Sequence, residues 1–524
     1  MSVKNSKEPP TTQLHTSPQS PSQFTYQNLH DLNDPATSYL SPLSTIGLVD
    51  LNAFFAQVEQ IRLGLTDQDP VVCGQWHSLI AVSYAARKYG ISRMDTIASA
   101  KTKCPNLIIG HAPVYKKGEE YWSYVDGLPN AANHKVSLDM YRRESRKILR
   151  VINEKFDLTE KASVDESYID FGREVFTKLM EYFPELKDVE KDQSLPDIPS
   201  ELPLGLYWEG EVIKSEQEIA DDGEGTEPVI KDWDDVCLVI GSQILLDLRR
   251  DIYKELGYTT SAGLARNKLM AKLAGGFKKP DDQTIIRNSS IKAFLKNFEL
   301  TDITGMGGKL GDSLINQLEV PPQAHTISYI REHFTLEQLK EEIKDDVDLA
   351  VKLYHIVRGM YAMELTQRME VKSMTSTKNF TFDAVANLED AYGWIKVFSG
   401  DLHNRLVDLD NENLELSLTK METKEKNVIR RPKTLSIGVV FPNRIRQTRQ
   451  LQIPFYKDLS KMKTIMYENG CVLLREFFEA NTNISMVNNN IPCKELYTKD
   501  PKKVKVVEMQ NMSLTISSIH QPKS

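Results

Sequence analysis

The chain has 524 residues, with 65 Lys and Arg against 73 Asp and Glu, for a formal net charge of −8. That length exceeds one compact core and predicts two to four domains, while the acidic total argues against a phosphate-rich partner, which calls for a basic surface. A hydrophobic content of 40% with 26% charged residues excludes a disordered or collagenous chain, and no apolar run approaches the roughly 18 residues of a membrane span, so no membrane partner is expected.

In chain order, residues 1–23 are rich in Ser, Thr, Pro and Gln, lack an apolar signal segment, and predict a disordered tail. Residues 45–50 form a short apolar strand ending in an acid, followed by helical spacing over 53–61. Residues 80–82 lead into a helix that Gly90 terminates. The stretch of about 184–232, with its prolines and acids, reads as a long surface insertion that decorates an edge rather than a site. Residues 289–363 are helical with short breaks, and the last 150 residues alternate helix and strand through 512–519. Five cysteines (Cys73, Cys104, Cys237, Cys471, Cys493) lie far apart without a Cys-x-x-Cys pair. They argue against a disulfide framework and a zinc module, and for an intracellular, reduced protein.

Net charge conceals its distribution. Residues 211–235 hold ten acids against Lys214 and Lys231, or −8, so the remainder balances at 63 and 63. Residues 420–463 hold twelve bases against three acids, or +9. Such a run commonly marks a solvated face. Here the bases alternate with strand-like segments at 434–440 and 449–453, so they would decorate one face of a sheet and offer a platform for a phosphate backbone.

Five constellations carry chemistry. Asp50 closes an apolar strand, where an acid serves either a turn or a ligand site at the sheet's carboxyl edge. Asp165 and Glu166 are adjacent, and strand neighbours face opposite ways, so they share a site only at a strand end or hairpin turn. An exposed acidic turn is the plainer reading, but with Asp50 they make three hard oxygen ligands of the kind Mg²⁺ prefers. Tyr84 and Arg87 stand three apart on one helix face, a hydroxyl and a guanidinium suited to a polyphosphate, with Arg93 beyond the Gly90 break. Residues 263–280 read as a turn, a basic amphipathic helix and a lysine pair in which Lys279 could bind a phosphate, though a surface lysine is more common. In 303–311, Gly305, Gly307 and Lys309 suggest backbone N–H groups approaching a phosphate, as in a helix-hairpin-helix.

Taken in this order, Val49-Asp-Leu-Asn-Ala-Phe-Phe55, Ile80-Ala-Val-Ser-Tyr-Ala-Ala-Arg87, Ser163-Val-Asp-Glu166, Lys378-Asn379 and Arg431-Pro-Lys-Thr-Leu-Ser436 resemble the Y-family translesion DNA polymerases. The likeness is closest to the eta branch, in a fungal-like form, and spans about residues 24–519. It implies an α+β multidomain right hand: palm at 24–52 and 110–286 with the insertion inside it, fingers at 53–109, thumb with helix-hairpin-helix at 287–366, and little finger at 372–519. Matched residue by residue, it implies catalytic, metal-binding carboxylates at Asp50, Asp165 and Glu166, with the Leu51 carbonyl as a further ligand for two Mg²⁺, replaceable by Mn²⁺. Phe55 would be the aromatic gate against a ribose 2′-hydroxyl. Tyr84, Arg87 and Lys279 would hold the triphosphate, and Gln75 and Arg93 would lie near the templating base and incoming nucleotide.

DNA contacts are expected from Gly305, Gly307, Lys309, Lys378, Arg431, Arg444 and Arg446, with primer-template DNA and a deoxynucleoside triphosphate as partners. The implied activity is nuclear translesion DNA repair, notably past cis-syn thymine dimers; with no exonuclease motif, its fidelity should be low. A kappa- or iota-like enzyme, or a noncatalytic DNA-binding scaffold of this fold, are the alternatives. Eta proteins usually carry a ubiquitin-binding zinc finger and a clamp-binding motif further on. The scattered cysteines supply no such finger, so the chain reads as a catalytic core, with sliding clamp and ubiquitin expected only through a region absent here.

Overall fold

The computed structural model describes residues 3, 7–187, 190–223, 225–366, 370–381, 384–419, 429–480, 501–503, 506 and 508–520. Glu224, Lys420, Glu422, Lys424, Glu425, Lys426 and Cys493, used in the charge and cysteine counts, lie outside them. Two compact units form, each from two stretches of chain: Met1–Phe54 with Ser145–Arg368, and Phe55–Glu144 with Met369–Ser524.

The first unit is built on a six-stranded sheet in the order Glu211–Val212, Gln283–Ile285, Thr260–Ala265, Ile46–Leu51, Glu166–Asp170, Thr159–Lys161. The apolar strand expected at 45–50 is the central Ile46–Leu51, antiparallel to both neighbours. Ile46, Leu48, Val49 and Leu51 are all buried, which accounts for its near-continuous apolar character. Beside it, Thr260–Ala265 is strand where a turn was expected at 263. Gly263 is required there by the helix Lys268–Phe277, because a Cβ would stand 2.1 Å from the Ala271 carbonyl oxygen. That helix shares one core with Ile291–Leu295, Lys309–Gln317, Thr326–His333, Leu336–Glu342 and Val347–Ile356, the helical run expected at 289–363.

The expected disordered tail is instead paired chain over its described part. The N–H groups of Thr16, Ser17 and Gln19 donate to the carbonyls of Ser200, Ile230 and Lys231. Its polar backbone is satisfied by partners about 180 to 215 residues away, which composition cannot register. The insertion likewise does more than decorate: it adds the edge strand Glu211–Val212 and buries Leu202, Leu206 and Trp208.

The second unit holds a four-stranded antiparallel sheet in the order Ser373–Asn379, Asn511–Ser517, Thr434–Val440, Arg446–Gln452. Helices Leu388–Thr419 and Leu459–Ala480 cover one face, where Met374, Ile437, Met512, Leu514 and Ile516 pack with Trp394, Phe398 and Leu473. Register places Ser373, Thr375, Thr377 and Asn379 level with Ser517, Thr515, Ser513 and Asn511 on the other face, a row of hydroxyls and amides. Two small sheets complete the unit: Ser78–Val82, Val71–Gln75, Ile108–His111, and Trp122–Ser123, Val114–Lys116, His134–Val136. Tyr115 joins the core of Trp394 and Phe398, and its hydroxyl accepts a hydrogen bond from Asn404 at 2.9 Å. Residues 110–144 fall within this unit.

Candidate active site

Asp50 is level with Glu166 across the antiparallel pair, so their side chains leave the same face of the six-stranded sheet. Asp165 lies one residue before its strand, in a hairpin where the N–H groups of Ala162 and Ser163 both donate to the Glu166 carbonyl. That turn suspends strand alternation, which frees the adjacent acids from opposite faces. The Asp165 carbonyl accepts the Leu51 N–H at 2.9 Å, tying the hairpin to the end of the central strand, and Ser163 Oγ donates to Asp165 Oδ1 at 2.8 Å. The structure thus brings Asp50, Leu51, Asp165 and Glu166 together at one end of one sheet.

Carboxylates set opposite one another repel, and two ammonium groups answer them. Lys279 Nζ donates to Asp50 Oδ2 at 2.5 Å, and Lys272 is hydrogen-bonded to Glu166 Oε1. Burial raises the Asp50 carboxyl above its ordinary value. The Lys279 bond draws it back, and the charges of Glu166 and Asp165 add to the rise. Lys279 sits on a carboxylate here rather than open to a phosphate. Lys272 escaped the sequence reading: its only signal was its place four residues after Lys268 in the basic helix. Hard oxygen donors already balanced by two cationic stand-ins fit a divalent metal site.

Among the described residues, the tightest carboxylate triad is a different one, Asp232, Asp234 and Asp235 at the start of helix Trp233–Leu256. Its cation is an arginine. Arg287, 1% exposed, donates to both oxygens of Asp235 and both of Glu218. Asp232 caps the helix by accepting the Asp235 N–H, and Asp234 accepts the Asn288 N–H. Part of the acidic run is therefore a buried network, not a solvated face.

In the second unit, Phe55 lies in the first turn of helix Phe54–Arg62 and Gln75 ends the strand Val71–Gln75. Ser83 caps the short helix Tyr84–Arg87, Gly90 follows at φ +78°, and Arg93 is exposed beyond it. The Arg87 guanidinium stacks on the Tyr84 ring, 4.1 Å from its centroid, with Nε donating to the Val82 carbonyl. The terminal nitrogens remain to meet an anion.

Four of the seven DNA candidates lie in the second unit, in differing surroundings. Lys378 alternates onto the covered face of its strand with Met374 and Ser376. Its ammonium lies over the rings of Trp76 and Trp394 and donates to the Ala131 carbonyl; burial, then the Lys135 charge, pull it down to about 8. Arg431, 1% exposed, is bidentate on Asp410 and also donates to the carbonyls of Arg430, Tyr456 and Lys457. Neither is free for DNA, and both expectations are corrected. Arg444 and Arg446 are exposed, and Arg446 reaches Ser513 Oγ on the uncovered face at 3.2 Å. Arg449, three residues on, falls on the covered face and pairs with Glu476, so the basic run does not line one face as expected. In the first unit, Gly305, Gly307 and Lys309 are exposed; Gly305 and Gly308 turn at φ +87° and +64°.

A family model described as impB/mucB/samB matches residues 49–276. The chain is 41% identical over 468 residues to DNA polymerase eta of Saccharomyces cerevisiae, covering 78% of this chain and 72% of that one. It is 35% identical over 442 residues to N-acetyltransferase eso1 of Schizosaccharomyces pombe (84% and 47%), and 27% identical over 289 residues to DNA polymerase iota of Homo sapiens (55% and 32%). The chain belongs to the Y-family DNA polymerases, the impB/mucB/samB family. Within that family it is eta-like, and it is a DNA-directed DNA polymerase, which sets aside the noncatalytic scaffold. Among the described residues no helix is long and apolar enough to cross a membrane.

Proposed function

We propose that this polymerase performs nuclear translesion synthesis past UV-induced cis-syn thymine dimers, using Mg²⁺ held by Asp50, Asp165, Glu166 and the Leu51 carbonyl. The observation that carries the metal assignment is the level pairing of Asp50 with Glu166, beside a hairpin that delivers Asp165. Two Mg²⁺, when bound, would supply Lewis acidity toward the primer 3′-hydroxyl and the departing pyrophosphate.

The protein's own groups do the rest. The three carboxylates hold negative charge where cations would bind, and Lys279 and Lys272 answer that charge in this structure. Tyr84, Arg87 and Lys279 would address the triphosphate. Phe55 excludes a ribose 2′-hydroxyl by contact, and Gln75 and Arg93 address the templating base and the incoming nucleotide.

In this reading the six-stranded sheet is the palm, the helices after Asn288 are the thumb, and the four-stranded sheet is the little finger. Its hydroxyl-rich face with Arg446, together with Arg444 and the glycine turn before Lys309, meets the phosphate backbone. Primer extension on a template carrying one cis-syn thymine dimer tests the proposal. Insertion of adenines across the dimer is expected at rates within about tenfold of undamaged DNA. Stalling at the first thymine, with normal extension elsewhere, would overturn the lesion assignment.

A further inference from the structure

Phe55 is stacked on a second ring, that of Tyr141 on helix Asp139–Asn153; the centroids are 4.3 Å apart and the planes inclined by 28°. Tyr141 is 0% exposed, and its hydroxyl donates to Glu59 Oε1 at 2.8 Å. Glu59 lies four residues after Phe55, on the same face of helix Phe54–Arg62. Its carboxylate is wholly buried, and every oxygen is engaged. Oε1 also accepts from Tyr124 at 3.1 Å, while Oε2 accepts from Arg62 Nε at 2.8 Å and Nη2 at 2.5 Å.

The Tyr141 oxygen has one more neighbour, Cys73 Sγ at 3.2 Å. Burial holds that thiol up at about 12, so it keeps its proton, and with the tyrosine's own proton given to Glu59 the tyrosine oxygen is left as the acceptor. Gly110 makes room for the carboxylate, since a Cβ there would fall 2.8 Å from Glu59 Cγ and Oε2. These bonds hold the Tyr141 ring in place, and that ring backs Phe55.

We propose that Tyr141 is a positioning residue for sugar selection: it braces the Phe55 ring, and Glu59 fixes the brace. This rests on the reading of Phe55 as the gate. A gate discriminates only by contact, so its selectivity is limited by how far the ring can yield when an oxygen presses on it. A partly exposed phenylalanine changes rotamer on the ps–ns scale unless packing forbids it. Tyr141 removes that freedom on one side of the ring.

The test is single-nucleotide insertion by the full chain, comparing kcat/KM for a deoxynucleotide and for its ribonucleotide in wild type, Phe55→Ala, Tyr141→Leu, Tyr141→Phe and Glu59→Gln. Unfolding lowers both values alike, so their ratio isolates selection from stability. Expected are a large rise in relative ribonucleotide use for Phe55→Ala, and about a 3- to 10-fold rise for Tyr141→Leu. Tyr141→Phe, which keeps the ring but loses the bond to Glu59 that fixes it, should fall between wild type and Tyr141→Leu. Glu59→Gln, the variant to rely on if Tyr141→Leu does not fold, should show a rise of about threefold. Wild-type ratios in Tyr141→Leu or, where that variant is unfolded, in Glu59→Gln, alongside a relaxed Phe55→Ala, would refute the brace alone. An unchanged ratio in Phe55→Ala would refute the gate and the brace with it.

Discussion

Lys279 and Asp50 show how much one pair can say about a site. An ammonium 2.5 Å from a raised carboxyl, beside two further acids, is a cation placed where the charge demands one. Loss of either hairpin acid leaves the site short of both charge and ligand. Asp165→Ala and Glu166→Ala should each lower kcat for primer extension by about 10³-fold or more, equivalent to about 4 kcal/mol. Their DNA affinity, read by a filter or anisotropy assay, should stay near wild type; retained extension by either would end the assignment. These residues were legible in the sequence because the acid-terminated apolar strand and the adjacent acid pair are local patterns, which the family likeness then joined. Glu59 and Tyr141 were not legible: they stand 82 residues apart, and no periodicity links them.

At the level of elements, strand parity decides which bases can meet solvent. Lys378 and Arg446 belong to one sheet, yet the pleat sends the first toward Trp394 and the second to the hydroxyl face. Composition counted both as positive charge; only knowledge of which face the helices cover separates them. Arg444→Ala with Arg446→Ala should reduce the slope of log affinity against log salt by about 2. Arg431→Ala should leave that slope unchanged and instead destabilise the unit by about 3 kcal/mol, because Asp410 and three carbonyls lose their donor. A flattened slope in Arg431→Ala would restore it as a DNA contact. Helix Trp233–Leu256 presents the inverse case, where acids expected in solvent form a buried capping network.

For the molecule as a whole, that network contributes to the response to pH. Asp232 is pushed up to about 6, first by burial and then by the Asp235 charge; Asp234, fully buried with Oδ1 unpartnered, is also raised. Groups raised on folding contribute stability below their unfolded values near 4, and the contribution is lost as pH climbs through the folded values. Glu218 runs the other way: burial pushes it up, but bonds from Arg287 and the Ser215 N–H outweigh that and leave it at about 2. Its contribution is present above about 4.5 and fades as pH falls toward 2. Asp234→Asn should therefore raise the unfolding midpoint at pH 8 by about 2–4 °C and by less at pH 5. A midpoint lowered equally at both values would show that the ionised carboxylate stabilises instead. The net charge of −8 says none of this, since it averages a partly buried acidic network with a basic segment elsewhere.

Each compact unit is stitched from two separated stretches, and this has a consequence for synthesis. Residues 55–144 leave the ribosome with Tyr115 exposed, while the helices and strands that enclose it begin about 225 residues later. At 5–20 residues per second the wait is roughly 10–45 s. Meanwhile the first unit, whose second stretch starts at Ser145, can close. The half-made second unit passes that interval with part of its core unshielded, a state in which exposed apolar surface favours aggregation.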